Sequence, residues 1–204
     1  ERKGRVILSK EKEITAYHEA GHALVAASLK DADPVQKVSI ISRGRAGGYT
    51  LKLPLEERHL KTRNQFLADL SVALGGYVSE QTTFGDITTG SSSDLKEASS
   101  LARLLVTRYG MSRLGPLTYG KHHETVFLGR EISAERDYSE KTAQDIDGEV
   151  TNIIKLAYET AKKIIIKRQA ALKAIADTLV DKETLEHDDF YAIMKHHNLK
   201  PMAA

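Results

Sequence analysis

The feature that most constrains the fold is a stretch of small and apolar residues at positions 15–27, TAYHEAGHALVAA, which also contains three strongly polar side chains. This composition predicts a largely buried helix over about residues 9–29. Residues four apart lie on the same face of a helix, so His18 and His22 would present their imidazoles one turn apart, with Glu19 beside them. Buried histidines are costly unless they bind a ligand or form hydrogen bonds, so the helix predicts a functional site.

The three polar residues form an H-E-x-x-H motif, in which two histidines bind one zinc ion and the glutamate acts as a general base. The alternative is an amphipathic helix with ordinary surface or core histidines. Gly21 argues against it, because a glycine inside a helix costs about 0.5–1 kcal/mol relative to alanine and needs a reason. Close approach of another backbone to the metal site would be one such reason. The residues therefore predict a zinc peptidase with Glu19 as its base.

The third metal ligand does not follow from the motif. A metzincin would carry a glycine and a third histidine where this chain has Val25 and Ser28, so that class is excluded. Glu80 and Asp94 are candidates because they flank a loop rich in small and polar residues. Asp94 could equally be an acidic residue in the first turn of a helix, where it would complement the helix dipole. The spacing alone leaves both carboxylates open.

The amino-acid composition limits which metal ligands and which partners the chain can have. The chain has 204 residues, enough for one or two domains with a real core, and no cysteine. Any metal must therefore take histidine and carboxylate ligands, which weakens the alternative of a purely structural zinc site with four protein ligands. A net charge of +2 with scattered lysines and arginines predicts no nucleic-acid partner. No long apolar run and no phosphate-binding loop pattern occur, so we expect neither a membrane span nor an ATP site in this chain.

The remaining patterns predict a mainly α fold with a small two- or three-stranded β element beside the zinc helix and a C-terminal helical bundle. Short strands are expected at residues 35–41 and 49–53, and Thr62 with Gln65 forms a capping box before a helix. Further helices are predicted at about residues 93–109, from 139 onward, at 169–179 and at 188–196. We divide the chain into a zinc peptidase core, residues 1–134, and a helical bundle, residues 135–204, which together form one continuous protease domain.

Seven short motifs occur in a fixed order over about residues 5–190. They are residues 17–23 (YHEAGHA), 75–76 (GG), 88–95 (TTGSSSDL), 109–112 (YGMS), 114–117 (LGPL), 127–130 (FLGR) and 136–139 (RDYS). In these motifs the chain resembles the FtsH family of membrane-anchored, ATP-dependent AAA zinc metalloproteases. The ordered set is far more specific than the zinc motif alone.

The resemblance implies that His18, His22 and Asp94 bind Zn²⁺ and that Glu19 is the base. It also implies that Glu80 lies behind the metal as the partner of a ligand histidine. The whole protein would be a homo-hexamer that degrades unfolded, cytosolic-regulatory and membrane proteins. ATP would act only through an AAA ATPase module of the same full-length chain. We interpret this chain as the excised, soluble proteolytic domain of a membrane-anchored protein, lying on its cytoplasmic, matrix or stromal side.

A rival interpretation is a catalytically silent oligomerisation module of an AAA ATPase. Such a module would be expected to have lost the general base or a metal ligand. This chain retains Glu19 and all three candidate ligands. The peptidase is therefore the favoured interpretation.

For substrate binding we expect an extended polypeptide to add to an exposed sheet edge, which requires little sequence recognition. Residues 35–41 form the best strand in the chain and follow the zinc helix directly, so we predict that their edge is the docking strand. Two glycines in the adjoining loop would keep it mobile enough to admit substrate. The expected substrate-binding residues are Val35, Val38, Ile40, Gly47 and Gly48.

The chain departs from the family's pattern in two places. Tyr77 and Gln81 stand where an arginine and a second glutamate are usual, and this departure leaves the metal ligands untouched. Gly47 stands where a leucine is common, and this departure is expected to loosen the loop beside the cleft.

Overall fold

A computed structural model describes residues 9–41, 48–53, 60–120 and 137–199. Within these ranges the chain forms seven α-helices and one three-stranded antiparallel sheet, which confirms the predicted mainly α fold. In chain order the elements are α1 (Ser9–Ser28), β1 (Val35–Ser39), β2 (Tyr49–Lys52), α2 (Arg63–Ala73), α3 (Gly75–Phe84), α4 (Ser92–Thr107), α5 (Glu140–Lys167), α6 (Gln169–Lys182), β3 (Thr184–Glu186) and α7 (His187–His196). None of the described helices combines the length and the apolar character needed to cross a bilayer.

The motif helix α1 lies at the centre of the fold. It begins at Ser9 as predicted and ends one residue early, at Ser28. Every residue from 16 to 26 is buried, because α1 packs against α3 on one side and α6 on another. Its alanines allow this close packing, and the two motif histidines are therefore held on a rigid, buried element.

The backbone of α3 approaches Gly21 closely, which gives a packing reason for this glycine. A Cβ atom at Gly21 would overlap the carbonyl oxygen of Gly75, and a Cβ at Gly75 would lie 2.8 Å from the carbonyl oxygen of Gly21. One turn further along, the Ser79 hydroxyl donates a hydrogen bond to the carbonyl of Tyr17 at 2.6 Å. Glycine at both crossing positions thus brings α3 into contact with the histidine-bearing helix.

The sheet has the strand order β2–β1–β3, and both pairings are antiparallel. Val38 at the centre of β1 has Thr50 of β2 and Leu185 of β3 as its partners. The strand at 35–41 is two residues shorter than predicted, and β3 was not predicted. This register fixes the position of β2 relative to α1, which contacts both β1 and β2.

The predicted docking strand is wrong. Both edges of β1 are already paired, so its backbone groups cannot accept an added strand. Val35 and Val38 are fully buried and Ile40 is only 4% exposed, so these side chains contact the core rather than a substrate. Gly48 directly precedes β2, whereas Gly47 lies outside the described residues. Among the described strands, the edges belong to β2 and β3.

Two apolar clusters hold the helices together. One joins α1 and the sheet to α6 and α7, and the other joins α2 and α4 to α5. Tyr158 of α5 packs against both clusters, so the C-terminal helices lie directly against the elements that carry the motif residues. The predicted division between residues 134 and 135 falls outside the described residues and stays a prediction.

The two α3 residues that depart from the family's pattern both contact Tyr158. The Tyr158 hydroxyl donates a hydrogen bond to Gln81 Oε1 at 2.7 Å, and the rings of Tyr77 and Tyr158 meet edge to face with centroids 6.4 Å apart. These contacts fasten α3 to α5. Neither residue is among the described residues that line the cleft below.

The loop expected between Glu80 and Asp94 is shorter than predicted. Glu80 lies inside α3, which continues to Phe84 and ends at Gly85 with a φ of 70°. Asp94 lies in the first turn of α4. The ring of Phe84 packs edge to face on Tyr17 of α1, and this contact extends the helix through residues that favour it weakly.

Candidate metal centre and cleft

A cleft of about 940 Å³ lies beside α1 and contains both motif histidines. Its walls come from α1, β2, α2, α3, α4 and the segment between α3 and α4. The lining residues include His18, Glu19, His22, Gly48, Thr50, Val72, Glu80, Thr88 and Asp94. The fold thus gathers the motif and two carboxylates from distant parts of the chain.

Three donor side chains converge inside this cleft. The Nε2 atoms of His18 and His22 lie 3.0 Å apart, and Asp94 Oδ2 lies 3.2 Å from the first and 3.6 Å from the second. Tetrahedral coordination with bonds of about 2.0–2.1 Å places neighbouring donors about 3.3–3.4 Å apart. The observed distances bracket that value. Two imidazoles and one carboxylate are also a donor set that zinc accepts, so the residues present fit zinc.

Both histidines are oriented through their other ring nitrogen. His18 Nδ1 donates to Glu80 Oε1 at 2.6 Å, and His22 Nδ1 donates to the carbonyl oxygen of Val72 at 2.7 Å. A proton on Nδ1 leaves the Nε2 lone pair to face the other donors. Metal-binding histidines commonly have such partners, which fix both the tautomer and the ring orientation.

Glu80 is itself held by the loop before α4. It is 1% exposed, and its Oε2 accepts a hydrogen bond from the backbone N–H of Thr88 at 2.7 Å. The Ser91 hydroxyl donates to its Oε1 at 3.3 Å. Burial alone would raise the pKa of Glu80, but the hydrogen bonds from His18 and Thr88 outweigh burial and lower it. Glu80 is therefore an ionised, fixed acceptor behind His18.

The charges of the donor groups are strongly coupled. Burial alone would lower the pKa of His18, but hydrogen bonds to Asp94 and Glu80 raise it to about 9. Burial would raise the pKa of Asp94, but hydrogen bonds from His18 and His22 bring it well below its usual range. Two ionised carboxylates thus favour a positive charge at this point, and a divalent cation would displace the His18 proton.

The Gly75-Gly76 pair lets the His18 ring lie directly against α3. A Cβ atom at Gly76 would lie 2.6 Å from both ring nitrogens of His18, closer than van der Waals contact allows. Any side chain at Gly76 would therefore push the imidazole out of its position.

The Glu19 carboxylate meets β2. Glu19 is 6% exposed, and its Oε2 accepts a hydrogen bond from the Thr50 hydroxyl at 2.8 Å. On the Oε1 side, a Cβ atom at Gly48 would lie 2.8 Å from the carboxylate oxygen. The candidate base is therefore held between one side chain and one glycine at the start of the strand.

The structure brings five predicted residues into one cleft: His18, Glu19, His22, Glu80 and Asp94. It places the two carboxylates on different sides of the His18 ring, because Asp94 faces Nε2 of both histidines whereas Glu80 faces Nδ1 of His18. The contribution of the Val72 carbonyl had no sequence signal, since every residue carries one. Thr88 and Ser91 lie between α3 and α4, and the sequence did not identify either residue as a partner of Glu80.

Known proteins match this chain over nearly its whole length. Residues 5–193 match peptidase family M41. The ATP-dependent zinc metalloprotease FtsH 1 of Thermomicrobium roseum is 50% identical over 202 residues, which cover 98% of this chain and 31% of that protein. The ATP-dependent zinc metalloprotease FtsH of Chloroflexus aggregans is 48% identical over 206 residues, covering 99% of this chain and 31% of the relative. FtsH 3 of Synechocystis sp., another ATP-dependent zinc metalloprotease, is 45% identical over 206 residues, with coverages of 98% and 33%.

The chain thus spans about a third of the length of these relatives. The match of the family to residues 5–193 agrees with the resemblance found in the seven motifs. The chain therefore belongs to peptidase family M41.

Proposed function

We propose that this chain is the zinc endopeptidase part of an ATP-dependent protease. The observation that carries the proposal is the convergence of the His18, His22 and Asp94 donor atoms within 4.8 Å, in the cleft that also contains Glu19. The names of the relatives support zinc as the metal and peptide-bond hydrolysis as the reaction. We assign the ATP dependence to an AAA ATPase module of the full-length chain.

The proposed mechanism uses the site as follows. His18, His22 and Asp94 would hold the zinc, while Glu80 and the Val72 carbonyl keep both imidazoles turned toward its position. Zinc held there would supply Lewis-acid chemistry, namely polarisation of the scissile carbonyl and a lower pKa for the attacking water.

Glu19 moves the proton. It accepts a proton from the attacking water and passes it to the nitrogen of the leaving amine, which is general base and then general acid catalysis. Its 6% exposure and its fixed contact with Thr50 keep the carboxylate in one place between the two transfers.

We further propose that an extended polypeptide pairs with the outer edge of β2. Leu53 N donates to the Pro34 carbonyl at 3.3 Å, so alternation along the strand turns the backbone N–H and C=O of Lys52 and Thr50 away from β1. Both residues also line the cleft. Backbone pairing places few demands on side chains, so unfolded polypeptides of many sequences, including membrane proteins, would be accepted.

The finer biological setting is proposed on the family resemblance. We propose a homo-hexameric, membrane-anchored full-length protein with this domain on the cytoplasmic, matrix or stromal side. Sedimentation of the zinc-loaded chain at high concentration tests the assembly, and a strictly monomeric species counts against it.

Two variants of the zinc-loaded chain test the endopeptidase proposal. Glu19→Gln should retain zinc and lose about 10²- to 10⁴-fold in turnover of an unfolded protein substrate, because the general base is removed. Asp94→Ala should lose zinc as well as activity. Glu13→Gln, a change at an exposed carboxylate of the same helix, is the matched control and should leave both unchanged.

The outcomes separate the proposal from its rival. Wild-type turnover by Glu19→Gln shows that the assigned base is wrong. A wild-type chain that binds zinc and assembles but hydrolyses no peptide bond is instead a silent oligomerisation module.

A further inference from the structure

We propose that Thr50 is a positioning residue for the general base: its hydroxyl holds the Glu19 carboxylate in the orientation that proton transfer needs. The inference rests on the proposed function, because it takes Glu19 to be the base. Thr50 lies in strand β2 and belongs neither to the zinc motif nor to the proposed set of metal ligands.

The contact is direct and well formed. The Thr50 hydroxyl lies 2.8 Å from Glu19 Oε2, within the usual range for an O–H···O hydrogen bond to a carboxylate. Thr50 is itself fixed by its register opposite Val38, a fully buried residue of the central strand. Threonine is branched at Cβ, which restricts its side-chain rotamers. The hydroxyl is therefore presented from a rigid position.

The two carboxylate oxygens of Glu19 have different neighbours. Oε2 accepts the Thr50 hydrogen bond, while the backbone at Gly48 leaves no room for a side chain beside Oε1. Without the Thr50 hydroxyl, the carboxylate could rotate about its terminal torsion, which is broad for glutamate.

Thr50 also belongs to the strand edge proposed for substrate. The alternation set by the Leu53–Pro34 hydrogen bond turns the Thr50 backbone groups away from β1, toward the side where an added strand would pair. The side chain that holds the base and the backbone that pairs with substrate thus belong to one residue. Thr50 would therefore position both the scissile bond and the base, and catalysis by proximity depends on this relative orientation.

The test compares Thr50→Val, which keeps the shape and removes the donor, with Thr50→Ser, which keeps the donor. Both are assayed on the zinc-loaded chain with an unfolded protein substrate, with kcat and KM measured separately. Thr50→Val should lower kcat about 10- to 100-fold, since misplacing a catalytic group by about 1 Å can cost about a hundredfold. KM and the zinc content should change little, and Thr50→Ser should restore most of kcat. Thr151→Val on the exposed face of α5 is the matched control.

A second readout does not depend on turnover. A peptide hydroxamate binds zinc and offers its hydroxyl to the general base, so its affinity reports how well Glu19 is placed. By calorimetry, Thr50→Val and Glu19→Gln should each weaken hydroxamate binding. In the Glu19→Gln background, Thr50→Val should have almost no further effect, because the Thr50 hydroxyl acts on the inhibitor only through the Glu19 carboxylate.

Each outcome decides the inference. Wild-type kcat in Thr50→Val, with Glu19→Gln inactive, overturns the role of Thr50 and leaves the proposed function standing. Equal losses in Thr50→Val and Thr50→Ser, or additive losses in the hydroxamate cycle, also overturn it, because they indicate a general disturbance of the strand. If Thr50→Val does not fold, Thr50→Ala is judged by the same criteria. A wild-type chain without peptidase activity removes the proposed function and this inference together.

Discussion

Replacing Glu80 with glutamine should weaken zinc binding although Glu80 does not face the metal position. The carboxylate accepts from His18 Nδ1 at 2.6 Å and from Ser91 through Oε1, and from the Thr88 N–H at 2.7 Å through Oε2. Glutamine has one oxygen and one NH₂ group, which donates only. Whichever way the amide is turned, its NH₂ group faces an N–H donor, of either Thr88 or His18.

The expected loss of zinc affinity follows from the number of hydrogen-bond donors left without an acceptor. One buried donor would lose its acceptor, at about 1–3 kcal/mol, because Glu80 is 1% exposed and water cannot replace the missing partner. Loss of the partner of a ligand histidine typically lowers metal affinity about 10- to 100-fold. This corresponds to about 1.4–2.7 kcal/mol, which agrees with the cost of the unmatched donor.

The assay is competition for zinc between the protein and a chromogenic chelator, with thermal unfolding of the same samples. Glu97→Gln is the matched control, since Glu97 is an exposed carboxylate in the wall of the same cleft. Glu80→Gln should bind zinc about 10- to 100-fold more weakly than wild type, and Glu97→Gln should not differ. Wild-type zinc affinity in a folded Glu80→Gln protein would refute the argument that Glu80 orients His18.

Three further predictions concern the packing around the site. Gly76→Ala should weaken zinc binding at least tenfold in the same competition assay, because its Cβ would displace the His18 ring; wild-type affinity would contradict this. Gly21→Ala should destabilise the fold by about 1–3 kcal/mol in urea unfolding, because the Cβ would separate α1 from α3, and a stabilised variant would show that the helices can move apart freely. Thr62→Ala should cost about 1 kcal/mol in the same measurement, through loss of the α2 capping box, and should leave turnover unchanged.

The elements that the sequence predicted well have strong local signals. For α1 the run of small apolar residues placed both ends within one residue. The capping box before α2 is confirmed, with Thr62 N donating to Gln65 Oε1 at 2.8 Å and Gln65 N donating to Thr62 Oγ1 at 3.3 Å. In such segments local preference and tertiary packing agree, so a short window of sequence is sufficient.

Tertiary contacts decide the elements that were missed. Helix α3 begins with two glycines and ends in two threonines and a phenylalanine, so its intrinsic preference for helix is weak. It is stabilised by the close contact between Gly21 and Gly75 and by Phe84 on Tyr17. Strand β3 has only three residues, too few for a periodic pattern, and is defined by its pairing with β1.

The error over the docking strand has a physical cause. The most apolar strand in a chain is usually the one buried on most sides, and such a strand lies inside a sheet rather than at its edge. Val35 and Val38 gave residues 35–41 the strongest strand pattern in the sequence. These side chains are apolar because they belong to the core. The strand β2 is shorter and more polar, and its Thr50 lies beside Glu19.

The positions of the two carboxylates relative to His18 could not be predicted from their spacing in the sequence either. Nothing in the chain positions of Glu80 and Asp94 indicates which side of the His18 ring each would face. The answer depends on how α3 and α4 pack, which places Glu80 at Nδ1 and Asp94 at Nε2.

The central claim is that His18, His22 and Asp94 hold a zinc ion on which peptide hydrolysis depends. Its most direct test is a titration in which the chelator-treated chain receives increasing zinc and the cleavage rate of an unfolded protein is followed. The rate should rise in proportion to zinc and reach a plateau at one zinc per chain, because the three donor atoms form a single cluster. Cleavage that persists in the chelated chain, or a rate that does not change as zinc is added, would contradict the account.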